Sequence, residues 1–323
     1  MRRLSRIVAL VAPLIALQPH SASAQTYPVK PIRVITTSSA GGLSDIFIRV
    51  VGDELHKRWG QPLVVENRAG GQFNIGARAC ADAAPDGYTI CIMPTDVLQY
   101  NRFVFKNLSY DLFKDLEPIT VLFYITQGLV VSSSLNVKTL DELAAYAKAH
   151  PKTLSYTAAA VPHQLFMENF KKETGADIVR VPFRGGGDAV NGLLTGATQV
   201  AFFGIGNFIP HLQAGTITGI AVDAEKRSPL FPNIPTLKEV RPEAEVTRAD
   251  FSLWAPKGMP KELVKKVRDE VAKIGTDPAF ADKHLIQRGL DPVFGTPEEF
   301  EKYLQTQRAQ VERTAQKAGL QPQ

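Results

Sequence analysis

No stretch of this 323-residue chain is apolar for long enough to cross a bilayer as a helix, which takes ~20 consecutive apolar residues. The nearest approach, residues 7–17, is broken by Pro13. A dense block of lysine and arginine is also missing, which argues against a nucleic-acid partner. Histidine is scattered: His20, His56, His150, His163, His211 and His284 form no cluster, and two cysteines do not make the ligand set of a zinc site. Catalytic signatures are lacking as well. There is no Gly-x-Ser-x-Gly elbow, no His-Glu-x-x-His pair, and no Gly-x-Gly-x-x-Gly after the first strand. The glycine triplet at 185–187 is not followed by Gly-Lys-Ser/Thr, so it is not a phosphate loop. Neither a metal nor a cofactor is expected.

The N-terminus carries a three-part export signal. Arg2, Arg3 and Arg6 form a basic region, residues 7–17 an apolar one, and Ala22-Ser23-Ala24 the small residues of a cleavage site. Residues 1–24 are therefore expected to be removed after Ala24, leaving a periplasmic protein. No lipid-anchoring cysteine follows. Three arginines of the formal +5 belong to this leader, so the mature chain carries +5 − 3 = +2. A mild positive balance suits anionic ligands without requiring them. Export permits a disulfide between Cys80 and Cys91. Two small buried residues at a helix–strand contact are the alternative, and sequence does not show whether the Cβ vectors meet.

Downstream, strand and helix patterns alternate. A strand at 32–36 leads through a small-residue loop to Leu43, Phe47, Val51 and Leu55 at helical spacing, stopped by Gly60 and Pro62. A second strand, a glycine-rich turn, a helix over 75–83 and a strand over 88–93 follow, the pattern of a parallel α/β layer. Residues 119–131 form a longer apolar segment that reads as a crossing between lobes. The strand–loop–helix pattern then restarts, after a helix opened by Thr139 and Glu142 as a capping box. A short apolar run at 251–255 reads as the return crossing. Two helices close the chain, the second opened by Thr296, Pro297 and Glu299.

The informative positions lie where strands end and helices begin. Helix N-termini present unpaired N–H groups and a partial positive charge, and ligands of open α/β sheets bind beyond the strand C-termini. Loops of this kind contain Ser38, Ser39, Gly41, Gly42 and Asp45; Thr95 and Asn101; Thr157, Ala158 and His163; Gly185 and Gly186; and Asn207. Taken singly, each has a plainer reading. A glycine pair makes a turn, Ser44 and Asp45 complement a helix start, and His163 opens a helix. Phe73 and Phe203 are either an apolar wall or core. Their joint placement on two lobes points to a ligand cleft.

Those same loops carry a resemblance. The chain is similar to the substrate-binding proteins of tripartite tricarboxylate transporters, the Bug-type periplasmic receptors. The matching runs include Tyr27-Pro28-Val29-Lys30-Pro31-Ile32-Arg33, Gly41-Gly42-Leu43-Ser44-Asp45 and Val65-Glu66-Asn67-Arg68-Ala69-Gly70-Gly71. Ala84-Pro85-Asp86-Gly87-Tyr88-Thr89, Val181-Pro182-Phe183-Arg184-Gly185-Gly186 and Pro210-His211-Leu212-Gln213-Ala214-Gly215 continue the series. The resemblance implies an α/β, two-lobed periplasmic-binding-protein type II (Venus flytrap) fold with two interlobe crossings. Lobe 1 would comprise 27–125 plus 253–323, and lobe 2 126–252. It implies a monomer that delivers a small carboxylate, a di- or tricarboxylate or an aromatic one, to membrane permease subunits. Carried over by position, Ser38, Ser39, Gly41, Gly42, Asp45, Thr95 and Asn101 form one wall, and Thr157, Gly185, Gly186 and Asn207 the other. Two loops depart from the family's pattern. One reads Thr37-Ser38-Ser39-Ala40 where prolines are usual, and the other has Gln164 where histidine is common.

Two further readings share this fold. A sensor subunit would present the closed form to a membrane kinase. An exported enzyme would need a nucleophile, base or metal, for which Asp45 and His163 are the candidates.

Overall fold

A computed structural model describes residues 27–158, 160–244 and 249–322. The expected export signal at 1–24 lies outside the described residues. In chain order the elements are β1 (Ile32–Thr36), α1 (Leu43–Trp59), β2 (Leu63–Asn67), α2 (Asn74–Ala81), β3 (Thr89–Met93), α3 (Thr95–Asn101), β4 (Leu116–Ile125) and β5 (Gln127–Ser132). Next come α4 (Leu140–Ala149), β6 (Leu154–Ala158), α5 (Val161–Thr174), β7 (Ile178–Arg180), α6 (Gly186–Thr195), β8 (Val200–Gly204), α7 (Ile209–Gln213) and β9 (Ile217–Asp223). The chain ends with α8 (Leu237–Val240), β10 (Ala249–Pro256), α9 (Lys261–Gly275), α10 (Pro278–His284), β11 (Leu290–Pro292) and α11 (Pro297–Lys317).

The strands form two sheets, one per lobe. The first has the order β11-β4-β10-β3-β1-β2 and the second β7-β6-β8-β5-β9. Within each, the βα units expected from the alternating pattern pair in parallel: β1 with β2 and β3, and β6 with β7 and β8. The strands on either side of the crossings run antiparallel, β4 and β10 in the first sheet and β5 against β8 and β9 in the second. The apolar segment at 119–131 divides into β4 and β5, which belong to different sheets and are separated by Thr126 alone. The run at 251–255 lies inside β10, paired on both sides in the first sheet. The return between lobes therefore occurs upstream of Ala249.

Helical spacing sorts the side chains as the pattern predicts. Leu43, Phe47, Ile48, Val51 and Leu55 of α1 are buried against β1, β4 and α9. Each such side chain contributes about 2 kcal/mol on burial. Gly60 ends α1 in the left-handed conformation, φ 68°, where its N–H donates to the His56 carbonyl. Thr296 and Glu299 form the full capping box of α11. At α4 only half of the expected box is present. Thr139 accepts from the Glu142 N–H, but the Glu142 carboxylate takes the N–H of Lys138. Cys80 of α2 and Cys91 of β3 are joined in a disulfide, fully buried, which resolves the alternative left by the sequence.

Helix α11 ties the lobes together. Phe300 and Leu304 lie in the core beneath Trp254, whereas Val311 packs with Tyr100 and with Val161 at the start of α5.

Candidate functional site

Three helices start at the junction of the lobes, α1 from one and α5 and α6 from the other. Between them lies a small cavity of about 50 Å³, walled by Ser38, Gly42 and Leu43 on one side and Ala160, Gly186, Gly204 and Asn207 on the other. Phe73, Phe203, Phe251 and Ile125 form its apolar lining, and Asp96, Asp250 and Gln127 its polar floor.

Lobe contact is close here because the residues are small. The Leu43 N–H at the start of α1 donates to Asn207 Oδ1 at 3.2 Å, and Asn207 Nδ2 donates to the Gly204 carbonyl at 2.8 Å. A Cβ on Gly186 would sit 2.5 Å from Asn207 Oδ1, and one on Gly187 2.5 Å from the Ala40 carbonyl oxygen. One on Gly185 would lie 2.9 Å from Ser39 Oγ. Gly185 and Gly187 thus form a lobe-contact surface, where a side chain would hold the two walls apart, whereas Gly186 makes room for Asn207 of its own lobe.

The cap residues of α1, α5 and α6 are Gly42, Ala160 and Gly185. None of these three helices has a side-chain cap, a feature they share with α2, α3, α7 and α9. Helices α4 and α11, which begin elsewhere, are capped by Thr139 and Thr296. Apart from the Leu43 N–H, which Asn207 accepts, the absence of side-chain caps at these cavity-facing N-termini leaves first-turn N–H groups and the dipoles available for an anion. Hydroxyls add further donors. Ser38 Oγ accepts from Ser44 Oγ at 2.9 Å, while Ser39 Oγ and Thr157 Oγ1 are buried without a hydrogen-bond partner.

Two carboxyl groups share the cavity. Asp250, fully buried, accepts hydrogen bonds from Thr95 Oγ1 at 2.6 Å, from the Tyr303 hydroxyl at 3.0 Å and from Ser252 Oγ. Burial pushes its pKa up to about 6 against the pull of those hydroxyls. Asp96 is 6% exposed, and neither of its oxygens makes a hydrogen bond of normal geometry. Only the backbone N–H groups of residues 96 and 97 lean toward it. Burial, with the Asp250 charge adding to it, pushes Asp96 up to about 8.

Of the residues singled out from sequence, Ser38, Gly42, Gly186 and Asn207 line the cavity. Ser39 and Gly185 meet at the lobe contact beside it. Asp45 is engaged elsewhere. Its carboxylate accepts from the Gly41 N–H at 3.0 Å, from Asn67 at 2.9 Å and from Arg49, and so braces the first loop. Burial raises its pKa, but these bonds outweigh burial and leave the group below the usual carboxylate range. Thr95 holds Asp250 in place, and Asn101 ties down the glycine-rich turn through the Gln72 carbonyl and Asn74. Thr157 and Ala158 end β6. His163 turns toward Asp223 at 2.8 Å, packs against Phe202 with the rings tilted by 43°, and lines a separate groove of about 420 Å³ between α5 and α11. Arg184 is paired with Asp188 and exposed, so it forms no clamp on the cavity. Among the described residues no group of three or more acids, histidines or cysteines is placed to hold a metal.

Sequence reading overlooked Asp96, Asp250 and Gln127. Asp250 had a signal: an acid inside a strand whose other residues are apolar or small needs partners or a ligand. Asp96 had a weaker one, since an acid in the first turn of a helix ordinarily complements the dipole.

Residues 47–320 match the model of the family described as tripartite tricarboxylate transporter family receptor. The protein BugT of Bordetella pertussis is 31% identical over 301 residues, covering 92% of this chain and 92% of that protein. An R. palustris protein solved with adipate superposes with a TM-score of 0.83 at 29% identity, covering 92% of this chain and 100% of that one. MatC from Rhodopseudomonas palustris, solved with bound malate, gives a TM-score of 0.81 at 25% identity over 90% of this chain and 100% of its own.

Proposed function

The chain belongs to the tripartite tricarboxylate transporter receptor family, whose members are solute-binding receptors, and from that premise we propose that it captures a small carboxylate between its lobes in the periplasm and delivers it to a membrane permease. The observation that carries this reading is the convergence of three helix N-termini without side-chain caps on one cavity at the lobe junction. A carboxylate there gains charge-assisted hydrogen bonds from backbone N–H groups and from the Ser38 hydroxyl, with the dipoles of α1, α5 and α6 adding to them. The adipate and malate held by the two structural relatives point to the same ligand class.

The mechanism is closure. Only the closed arrangement brings α1 of one lobe against α6 and Asn207 of the other, so a ligand touching both walls favours that state by its differential affinity. The hinge is short, since Thr126 alone separates β4 from β5. The permease then has a ligand-dependent surface to recognise.

Calorimetry on ligand-free mature protein, titrated with mono-, di- and tricarboxylates, tests the reading. Binding of at least one, accompanied by a smaller radius of gyration in X-ray scattering, is the expected result. Silence from every carboxylate would sink it.

A further inference from the structure

A second pocket, of about 400 Å³, lies between α3, residues 108–114 and α11. That volume is in the range that holds a small organic ligand. It shares no lining residue with the cavity at the lobe junction: α3 gives Asp96 and Val97 to the cavity, and Leu98 and Gln99 to the pocket. Leu98, Leu108, Leu112 and Phe113 supply apolar walls. The cations around it are already matched. Lys114 pairs with Asp111 at 3.4 Å, and Arg102 and Arg308 share Glu312 at 2.9 and 3.3 Å. Gln99 is not matched. It is 1% exposed, and among the described residues neither Oε1 nor Nε2 of its side chain has a hydrogen-bond partner. Arg102 Nε, in the wall of the same pocket, is buried without an acceptor. Buried polar groups are nearly always paired, and an amide left unpaired costs stability. The unmet set is two donors, Gln99 Nε2 and Arg102 Nε, and one acceptor, Gln99 Oε1.

We propose that this pocket is a second binding site, for a small neutral molecule that carries a carboxamide on an aromatic ring. The carbonyl oxygen of the ligand accepts from Gln99 Nε2 and Arg102 Nε, its N–H donates to Gln99 Oε1, and its ring lies among the leucines and Phe113. The terminal torsion of glutamine is soft, so the amide turns toward the pocket at little cost. An anion fits less well. A carboxylate has no N–H for Oε1, and the guanidinium charges are already held by Glu312. The site is independent of the receptor reading and uses none of the residues that line the cavity between the lobes.

The test pairs neutral ligands that differ only by an amide nitrogen in place of a methyl carbon: benzamide with acetophenone, and nicotinamide with the corresponding methyl ketone. Calorimetry is run on the mature protein without added carboxylate, and on Gln99→Leu. The amide of at least one pair is expected to bind about tenfold tighter or more than its ketone, the worth of one or two hydrogen bonds to buried partners. Gln99→Leu should abolish that preference. Silence from both amides, equal binding of the ketones, or a preference that survives in Gln99→Leu each overturns the proposal. So does benzoate binding tighter than benzamide, where Gln99→Leu removes the difference. The amide–ketone comparison is read on wild-type protein. Should Gln99→Leu fail to fold, a crystal structure of the wild type with benzamide decides the location: an amide seated on Gln99 and Arg102 supports the proposal, and any other seat overturns it. Titrations with carboxylates report on the cleft separately, so failure here leaves the receptor reading untouched.

Discussion

The backbone N–H of Leu43 donates to the side chain of Asn207 at 3.2 Å, across 164 positions of sequence and from one lobe to the other. A helix start that has no cap of its own is thereby capped only when the lobes are together. The bond couples the anion-binding end of α1 to the closed state, so the N-terminus is fully organised when the cavity is complete.

Replacing Asn207 by alanine should therefore weaken ligand binding more than it weakens the fold. Losing one hydrogen bond that exists only on closure costs roughly 1–2 kcal/mol, or about tenfold in affinity. Calorimetry would read the affinity and thermal unfolding of ligand-free protein the stability. A large loss of melting temperature without loss of affinity would contradict this role.

Gly187→Ala separates closure from folding in the opposite direction. Alanine is about 1 kcal/mol better than glycine inside a helix, so α6 should be no less stable. The new Cβ, however, would lie 2.5 Å from the Ala40 carbonyl oxygen of the opposite lobe. The expected result is an unchanged or slightly higher melting temperature, at least tenfold weaker binding, and a larger radius of gyration with saturating ligand.

Asp96 also makes a prediction about pH. Its pKa is raised to about 8 in the folded chain, whereas an unfolded Asp titrates near 3.9. Between those values the folded state holds more protons than the unfolded state, so stability falls as pH rises through this window. Asp96→Asn cannot ionise, and should match the wild type below about pH 4 while exceeding it by a few kcal/mol above about pH 8. Asp250, raised to about 6, adds a smaller decline of the same sign at lower pH in both proteins. Urea midpoints from pH 4 to 9 would measure the difference, and parallel curves would refute it.

The disulfide is predicted to matter for stability and not for ligand. Cys80 and Cys91 are separated by 11 positions and lie in the core under α2, outside the cavity lining. Closing a loop of that size stabilises by about 2–4 kcal/mol. Converting both to alanine should lower the denaturant midpoint accordingly and leave the affinity of the best carboxylate within about twofold, the difference a ±0.5 kcal/mol error allows.

Much of this molecule was legible before its structure. Phe47, Val51 and Leu55 on α1, and Thr296 with Glu299 at α11, announce their elements because helix spacing and capping are local rules. The alternating α/β pattern and the family's loop motifs follow from short runs of residues as well. Ser38, Gly42, Gly186 and Asn207 were reachable because they sit at strand ends and helix starts, positions that sequence can mark.

Partners distant in the chain were not legible. Nothing near Asp45 says that Arg49, Asn67 and Gly41 will engage its carboxylate, and nothing near His163 says that it faces Asp223. The cysteine pair was undecided for the same reason. The sequence by itself determined the elements, the two-lobed class and the small-residue loops, all products of local periodicity and turn chemistry. The tertiary structure decided that Asp96 and Asp250 share one floor beneath those loops. Which charges meet in a buried cavity depends on sheet order and lobe closure, which bring together residues more than 150 positions apart.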